Sequence, residues 1–441
     1  MNEIKKSLLS VVLVVLLAVL GYFLYQNYDQ AQNEKARQAA AASPSPVAEA
    51  TPTPTPTPNA VEDVSLCACG DIVCHTGLNA EAENKDGTYD YAPIFSGVTP
   101  FVTKADYSLC TLETTFPDTT EYSGYPMFKS PAALAGGLKA VGFDLINTAS
   151  NHCMDSGASG LVQTLDVLDR NGLDHVGTYR TQAEHDANSG VLIKEINGVK
   201  LAFLSFTYGT NGMPVTDTPY VANIFCRDYL TKLTDIDYDL LKKDLEAAKA
   251  LSPDLVVVQM HWGNEYHTEA NDQQKALADF LFQQGADIVL GGHTHVPEPM
   301  ELRVVEDSTG NKRTGLLVYS LGNLASCQND RYTNLTAAVN IDIEKNVDTG
   351  KTRIKHVAYA PMYMVDLSDV GVSADWHYRL WNLHDAIDGY KAGNNLGVIN
   401  DTLYNNMVQG LTDVQSVLGA DFDAYGESGG VDVDAWSEKN S

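Results

Sequence analysis

From Val64 onward, short apolar runs recur along the chain, and six of them stop at polar residues. VSLCAC runs into Gly70 and Asp71, ADYSLCTL into Glu113, and FDLINTAS into Asn151 and His152. Farther on, DLVVVQM runs into His261, ADIVL into the glycines before His293 and His295, and GLLVYSL into Gly322 and Asn323. Stretches with helical signals lie between these runs. Leu161, Leu165 and Leu168 recur at helical spacing and read as core contacts. Ser130 and Pro131 suit the N-cap and first turn of AALAGGLKAV, which Gly142 ends, and ALADFLFQQ ends at Gly285 in the same way. Strand, polar tip and helix alternating in this manner predict an α/β fold, in which ligands gather at the carboxyl ends of the strands, so the six tips are expected to face one cleft. Hairpin-like pairs around Asn197-Gly198 and between Leu302 and Val318 make the later strands partly antiparallel. The expected architecture is two mixed sheets packed as a sandwich with outer helices.

Other patterns divide the rest of the chain. Residues 7–25 carry no charge over 19 positions, about the length of a transmembrane helix. No small-x-small cleavage site closes the run, which reads as an uncleaved anchor rather than a signal peptide. Lys5 and Lys6 abut it on one side, and the other flank has no Lys or Arg until Lys35 and Arg37, so the N-terminus is expected in the cytoplasm and the remainder outside. Residues 1–25 are then tip and anchor, and the Pro/Thr/Ala-rich residues 26–63 a spacer unable to bury a core. The folded domain is expected over 64–366. Residues 367–441 are expected as an extension with helical patches such as YRLWNLHDAI, ending in an acidic tail from Glu427 that frays.

Composition narrows the possible partners. With 29 Lys plus Arg against 57 Asp plus Glu, the formal charge is −28, which disfavours nucleic acid and anionic lipid as partners. The seven cysteines are odd in number and include no CxxC pair, and they are expected to be mostly free thiols.

The polar tips bring together Asp71, Glu113, Asn151, His152, His261, His293 and His295. Carboxylate, amide oxygen and imidazole are ligands that divalent Zn, Mn or Fe accepts, and a carboxylate has two oxygens with which to bridge two ions. Two metals close together activate a water and stabilise charge developing on a substrate. Any one of these residues alone would be a weak signal. The Gly-Gly-His-Thr-His run is stronger, because two imidazoles two residues apart at a strand end can reach one cleft. Glu265, Tyr266 and Asn323 are further candidates for contact with substrate or with a metal ligand, and Glu265 reads equally as a structural partner.

In series, Gly70-Asp71, Leu112-Glu113, Ser150-Asn151-His152 with Asp155 and Gly157, His261-Trp262-Gly263 with Glu265-Tyr266, Gly292-His293-Thr294-His295 and Ser320-Leu321-Gly322-Asn323 resemble the motifs of the poly-gamma-glutamate capsule synthesis protein family, often called CapA. That family is similar in fold to the calcineurin-like metallophosphatases. The resemblance implies that Glu113 bridges two metals, with Asp71 and His295 completing one and Asn151, His261 and His293 the other. It casts His152 as the acid that protonates a leaving group. Two positions depart from the metallophosphatase pattern. Val73 stands where those enzymes have His, and Glu113 where they have Asp, which leaves His75 as a substitute for the missing imidazole.

Three functions are compatible with these features. The first is a membrane-anchored metal-dependent hydrolase or transferase acting on an extracellular anionic polymer, with gamma-linked polyglutamate implied by the resemblance. The second is an extracellular phosphoesterase, and the third a non-catalytic accessory subunit of a polymer synthase or exporter.

Overall fold

The computed structural model describes residues 60–306 and 312–440. The expected membrane span and most of the spacer lie outside the described residues, and among those described no helix is long and apolar enough to cross a membrane. In chain order the described strands begin with β1 (Val61–Ile72), β2 (Tyr107–Leu112), β3 (Leu145–Asn147), β4 (Asp174–Val176), β5 (Leu192–Ile196), β6 (Val199–Thr207), β7 (Leu255–His261) and β8 (Ile288–Gly292). They continue with β9 (Pro297–Glu306), β10 (Lys312–Leu321), β11 (Asn323–Ala325), β12 (Leu335–Asn346), β13 (Thr352–Asp366), β14 (Tyr378–Asn382) and β15 (Val431–Asp432).

These strands make two mixed sheets. One runs β14-β13-β12-β1-β2-β3-β4, with β11 beside β1 and β15 beside β13; its β1-to-β4 arm is parallel and its β12-to-β14 arm antiparallel. The other runs β5-β6-β7-β8-β10-β9, parallel in the middle and antiparallel at both edges. The hairpins expected at Asn197-Gly198 and between Leu302 and Val318 are these two edges. Asn197 and Gly198 both take positive φ, 48° and 85°, and Leu302 pairs with Leu316.

Period-two alternation sorts the side chains between layers. On β1, Leu66 and Ala68 join a core shared with Leu201 and Phe203 of β6 and with Leu316 and Val318 of β10. Cys67 and Cys69, one step out of phase, pack instead with Leu138 and Leu165 of the helices Ala133–Val141 and Gly157–Arg170. Likewise, Ala202 and Leu204 of β6 pack with Leu241 and Leu277 of the helices Tyr238–Ala250 and Asp272–Gln284. The layers are therefore helix, sheet, sheet, helix. The parallel strands are covered on both faces, which is why they read as continuous apolar runs.

Gly142 and Gly285 terminate their helices in the left-handed region, at φ 116° and 110°, as the sequence predicts. The start of the first of these helices differs from expectation. It begins at Ala133 without a side-chain cap, because the Ser130 hydroxyl is held by Thr114 at 2.8 Å and the Ser130 N–H by the Thr115 carbonyl at 2.9 Å. YRLWN is strand β14 rather than helix, and the helix Leu383–Lys391 follows it. Nor does the acidic tail fray: Val431 and Asp432 pair with Val357 and His356 of β13, and the helix Val433–Asn440 follows. All seven cysteines are unpaired.

Candidate metal centre

The parallel strands of both sheets deliver their carboxyl ends to one edge of the sandwich. Asp71 is the second-to-last residue of β1, where its N–H donates to the Gly322 carbonyl at 2.9 Å and its Oδ2 accepts the His293 N–H at 2.6 Å. The approach of β8 to this carboxylate requires Gly292, since a Cβ there would lie 2.4 Å from Asp71 Oδ1. Just past β2, the Glu113 N–H donates to the Ile72 carbonyl at 3.0 Å. His261 closes β7, with Nε2 at 2.8 Å from Asn151 Oδ1 and 3.7 Å from Glu113 Oε2. One potential ligand atom from each of Asp71, Glu113 and His261 falls within 4.8 Å of the other two, and all three residues are buried.

His293 and His295 follow β8 in the left-handed region, at φ 92° and 62°. Non-glycine residues held there cost about 1–3 kcal/mol each and cluster at functional sites. This turn sets the His293 ring 4.9 Å from that of His261 and 6.0 Å from that of His295. His295 is steadied by Asn323, whose Oδ1 lies 3.0 Å from its Nδ1, while Glu265 stands 3.8 Å from its Nε2. Asn323 is itself fixed as a donor to Ser326, Gln328 and the Thr333 carbonyl. Tyr266 packs its ring 5.8 Å from His295 and accepts a hydrogen bond from Gln328 at 3.1 Å.

At the other end of the site, His152 Nδ1 lies 2.8 Å from Asp155 Oδ2, an oxygen that also accepts the Phe128 N–H at 2.6 Å. The Phe128 ring stands edge-on to His152 at 4.6 Å and to His75 at 5.1 Å. His75 turns its Nδ1 to the backbone, 3.0 Å from the Val73 carbonyl and 3.3 Å from the Cys327 nitrogen. The structure thus gathers Asp71, Glu113, Asn151, His261 and His293 into direct contact or ring packing. It sets His295 with Asn323, Glu265 and Tyr266 on one flank, and His152 with Asp155 and His75 on the other.

Charge and hydrogen bonding at the centre fit a divalent cation. Both oxygens of Glu113 and the Nδ1 atoms of His261 and His293 are buried without a hydrogen-bond partner. Unmet polar atoms of this kind are costly unless something absent from the protein atoms satisfies them. Burial, and then the neighbouring Asp71 carboxylate, hold the Glu113 carboxyl well above its usual range, and burial raises Asp71 to about 6 against the opposing His293 N–H. Burial, reinforced by the neighbouring histidines, pushes His261 and His293 well below the ordinary imidazole value, and burial likewise lowers His295 to about 4. Neutral imidazoles around Asp71 and around Glu113, whose two oxygens lack donors, form an Asp/Glu/His donor set suited to a divalent metal.

The model of the bacterial capsule synthesis protein family, PGA_cap, matches residues 65–328, more than half of the chain. The chain belongs to this capsule synthesis family. A relative, the PGA biosynthesis protein CapA of Bacillus subtilis, is 34% identical over 219 residues, covering 49% of this chain and 51% of that protein. The capsule biosynthesis protein CapA of Bacillus anthracis is 29% identical over 293 residues, 65% of each chain. The chain therefore spans between half and two thirds of the length of these capsule synthesis relatives. A solved phosphatase from Mycoplasma pneumoniae aligns with 68% of this chain and 94% of its own, at 15% identity and a TM-score of 0.38. The candidate ligands and the side chains packed on them, from Asp71 to Asn323, lie within the stretch that matches the capsule synthesis family.

Sequence reasoning gave no role to Asp155, Phe128, Tyr208 or Asn211, though Asp155 belongs to the third motif. Tyr208 packs its ring 4.6 Å from His293, and Asn211 accepts from Asn151 Nδ2 at 3.0 Å. The signal for this pair was present, since β6 is one more apolar run that ends in a polar segment, Tyr208 to Gly212.

Proposed function

We propose that this chain is a membrane-anchored, extracytoplasmic, metal-dependent hydrolase-type protein that acts in the synthesis or processing of a poly-gamma-glutamate capsule. The observation that carries the reading is Glu113, a fully buried carboxylate with no donor on either oxygen, set between Asp71 and His261. Family membership and the printed function of the Bacillus relatives support the polymer. Two ions of Mn, Zn or Fe, held by Asp71, Glu113, Asn151, His261, His293 and His295, would supply an activated water and positive charge opposite a developing anion. The chain's own groups do the rest. Asp155 holds the His152 ring from its Nδ1 side, which leaves Nε2 to hand a proton to a leaving group. A protein of net charge −28 repels a polyanion over most of its surface, so recognition is concentrated where bound cations offset the carboxylates. The charge-free run at residues 7–25 supports the anchor, and the Pro/Thr/Ala-rich composition of residues 26–63 supports a spacer after it.

The test uses the full chain purified in detergent. About two metals per chain by elemental analysis, lost in a His293→Ala, His295→Ala double variant, and cleavage of poly-gamma-glutamate that His152→Ala abolishes are the expected results. Metal binding without cleavage of any amide would replace the hydrolase with an accessory subunit of the polymer synthase, and cleavage of phosphoesters alone would replace it with a phosphoesterase. The chain is expected in the membrane fraction, and release on deletion of residues 1–25 checks the anchor.

A further inference from the structure

Asn211 lies in the loop after β6, exposed at the lip of the site, with its backbone at φ 48°. Asn is among the few residues that adopt this left-handed conformation readily. Its side chain faces two site residues at once. Oδ1 accepts from Asn151 Nδ2 at 3.0 Å, and Nδ2 lies 3.4 Å and 3.3 Å from the two ring nitrogens of His152. The Tyr208 hydroxyl, from the same loop, reaches Asn211 Oδ1 at 3.5 Å.

A primary amide has one acceptor end and one donor end, so tying down the NH2 decides where the oxygen points. With Asn151 Nδ2 held by Asn211, Asn151 Oδ1 faces inward, 2.8 Å from His261 Nε2, which itself is 3.7 Å from Glu113 Oε2. The opposite orientation would turn the NH2 toward a region whose carboxylate, Glu113, has no donor on either oxygen. That orientation would spoil a cation site, and the Asn211 acceptor outside it opposes the flip. We infer that Asn211 is a positioning residue that locks the Asn151 amide with its oxygen toward the buried centre, keeping that oxygen available to a divalent cation, while its own NH2 braces the His152 ring. The consequence for metal binding rests on the metal-centre reading above. The lock itself rests on the hydrogen bonds.

Two variants separate this role from loop structure. Asn211→Gly keeps the backbone free to adopt its left-handed conformation and removes both hydrogen bonds, whereas Asn211→Asp keeps an acceptor for Asn151 and loses the donor to His152. Calorimetric titration of the full chain with Mn2+ is expected to show an affinity loss of about 10- to 100-fold in Asn211→Gly, the usual range for losing an outer partner of a metal ligand, with Asn211→Asp close to wild type. Unchanged affinity in Asn211→Gly, or an equal loss in both variants, overturns the proposal. A readout independent of metal is exchange of the Asn151 side-chain amide protons by NMR on the metal-free chain. One protected proton in wild type and Asn211→Asp, and none in Asn211→Gly, is expected; equal exchange in all three refutes the lock. A wild type that takes up no Mn2+ defeats the metal-centre reading, and the exchange measurement then decides the lock by itself.

Discussion

At the residue scale, the site combines groups that must stay uncharged with groups that need a cation. In the proposed reaction His152 is the proton donor: Asp155 engages its Nδ1, and its Nε2 faces Asn211 at the lip of the site. His152→Gln is expected to lower kcat on poly-gamma-glutamate by about 10²- to 10⁴-fold, the range for loss of a general acid, while metal content stays at the wild-type level. A parallel loss of metal would instead make His152 part of the metal centre. The histidines and carboxylates of this site were legible one by one, since a polar residue closing a buried apolar run has little structural reason to be there. Their second partners were not. Nothing in the letters around Asp155 says that its carboxylate also accepts the Phe128 N–H, 27 residues away.

At the element scale, the strands must end close enough for their tips to touch. Gly292→Ala tests that closeness, because the added methyl collides with Asp71 Oδ1. The variant is expected to keep its far-ultraviolet circular dichroism and lose bound metal by elemental analysis; metal retention would show that β8 yields without disturbing the centre. Leu165, fully buried on the helix Gly157–Arg170 in the layer that also holds Cys67 and Cys69 of β1, tests packing away from the site. Leu165→Ala is expected to cost about 2–5 kcal/mol in a denaturant titration, with the metal-to-protein ratio of the folded fraction unchanged. Helix ends marked by glycine were readable because a left-handed C-terminal residue is a local requirement. The start at Ala133 was not, because Ser130 is claimed by Thr114 and Thr115, residues remote from its own helix.

At the scale of the whole molecule, proton and metal compete for the same carboxylates. Asp71 is raised to about 6 in the metal-free fold against about 4 in an unfolded chain, and Glu113 is held well above its usual range. A raised carboxyl binds its proton more tightly in the folded state, so through Asp71 the metal-free protein gains stability as pH falls from about 6 toward 4, while the cost of ionising Glu113 is added at higher pH. A divalent cation offsets that cost only while the carboxylates are ionised. Chelating the metal is therefore expected to lower Tm strongly at pH 8 and little at pH 5, by differential scanning calorimetry. A Tm drop independent of pH would mean that the cation is not held by these groups.

The sequence by itself determined the alternation of strand and helix, the glycine-marked helix ends, and the order of polar tips that marks the capsule synthesis family. Each follows from local rules: apolar runs, helical spacing, glycine terminators and short motifs. Only the tertiary structure decided which tips touch, that YRLWN joins β13 as a strand, that the acidic tail is pinned through β15, and that Asn211 reaches Asn151 and His152. These outcomes depend on pairings between residues far apart in the chain, such as Asp71 with His293 across 222 positions. The free energy of such a pairing belongs to neither segment until the sheets have packed.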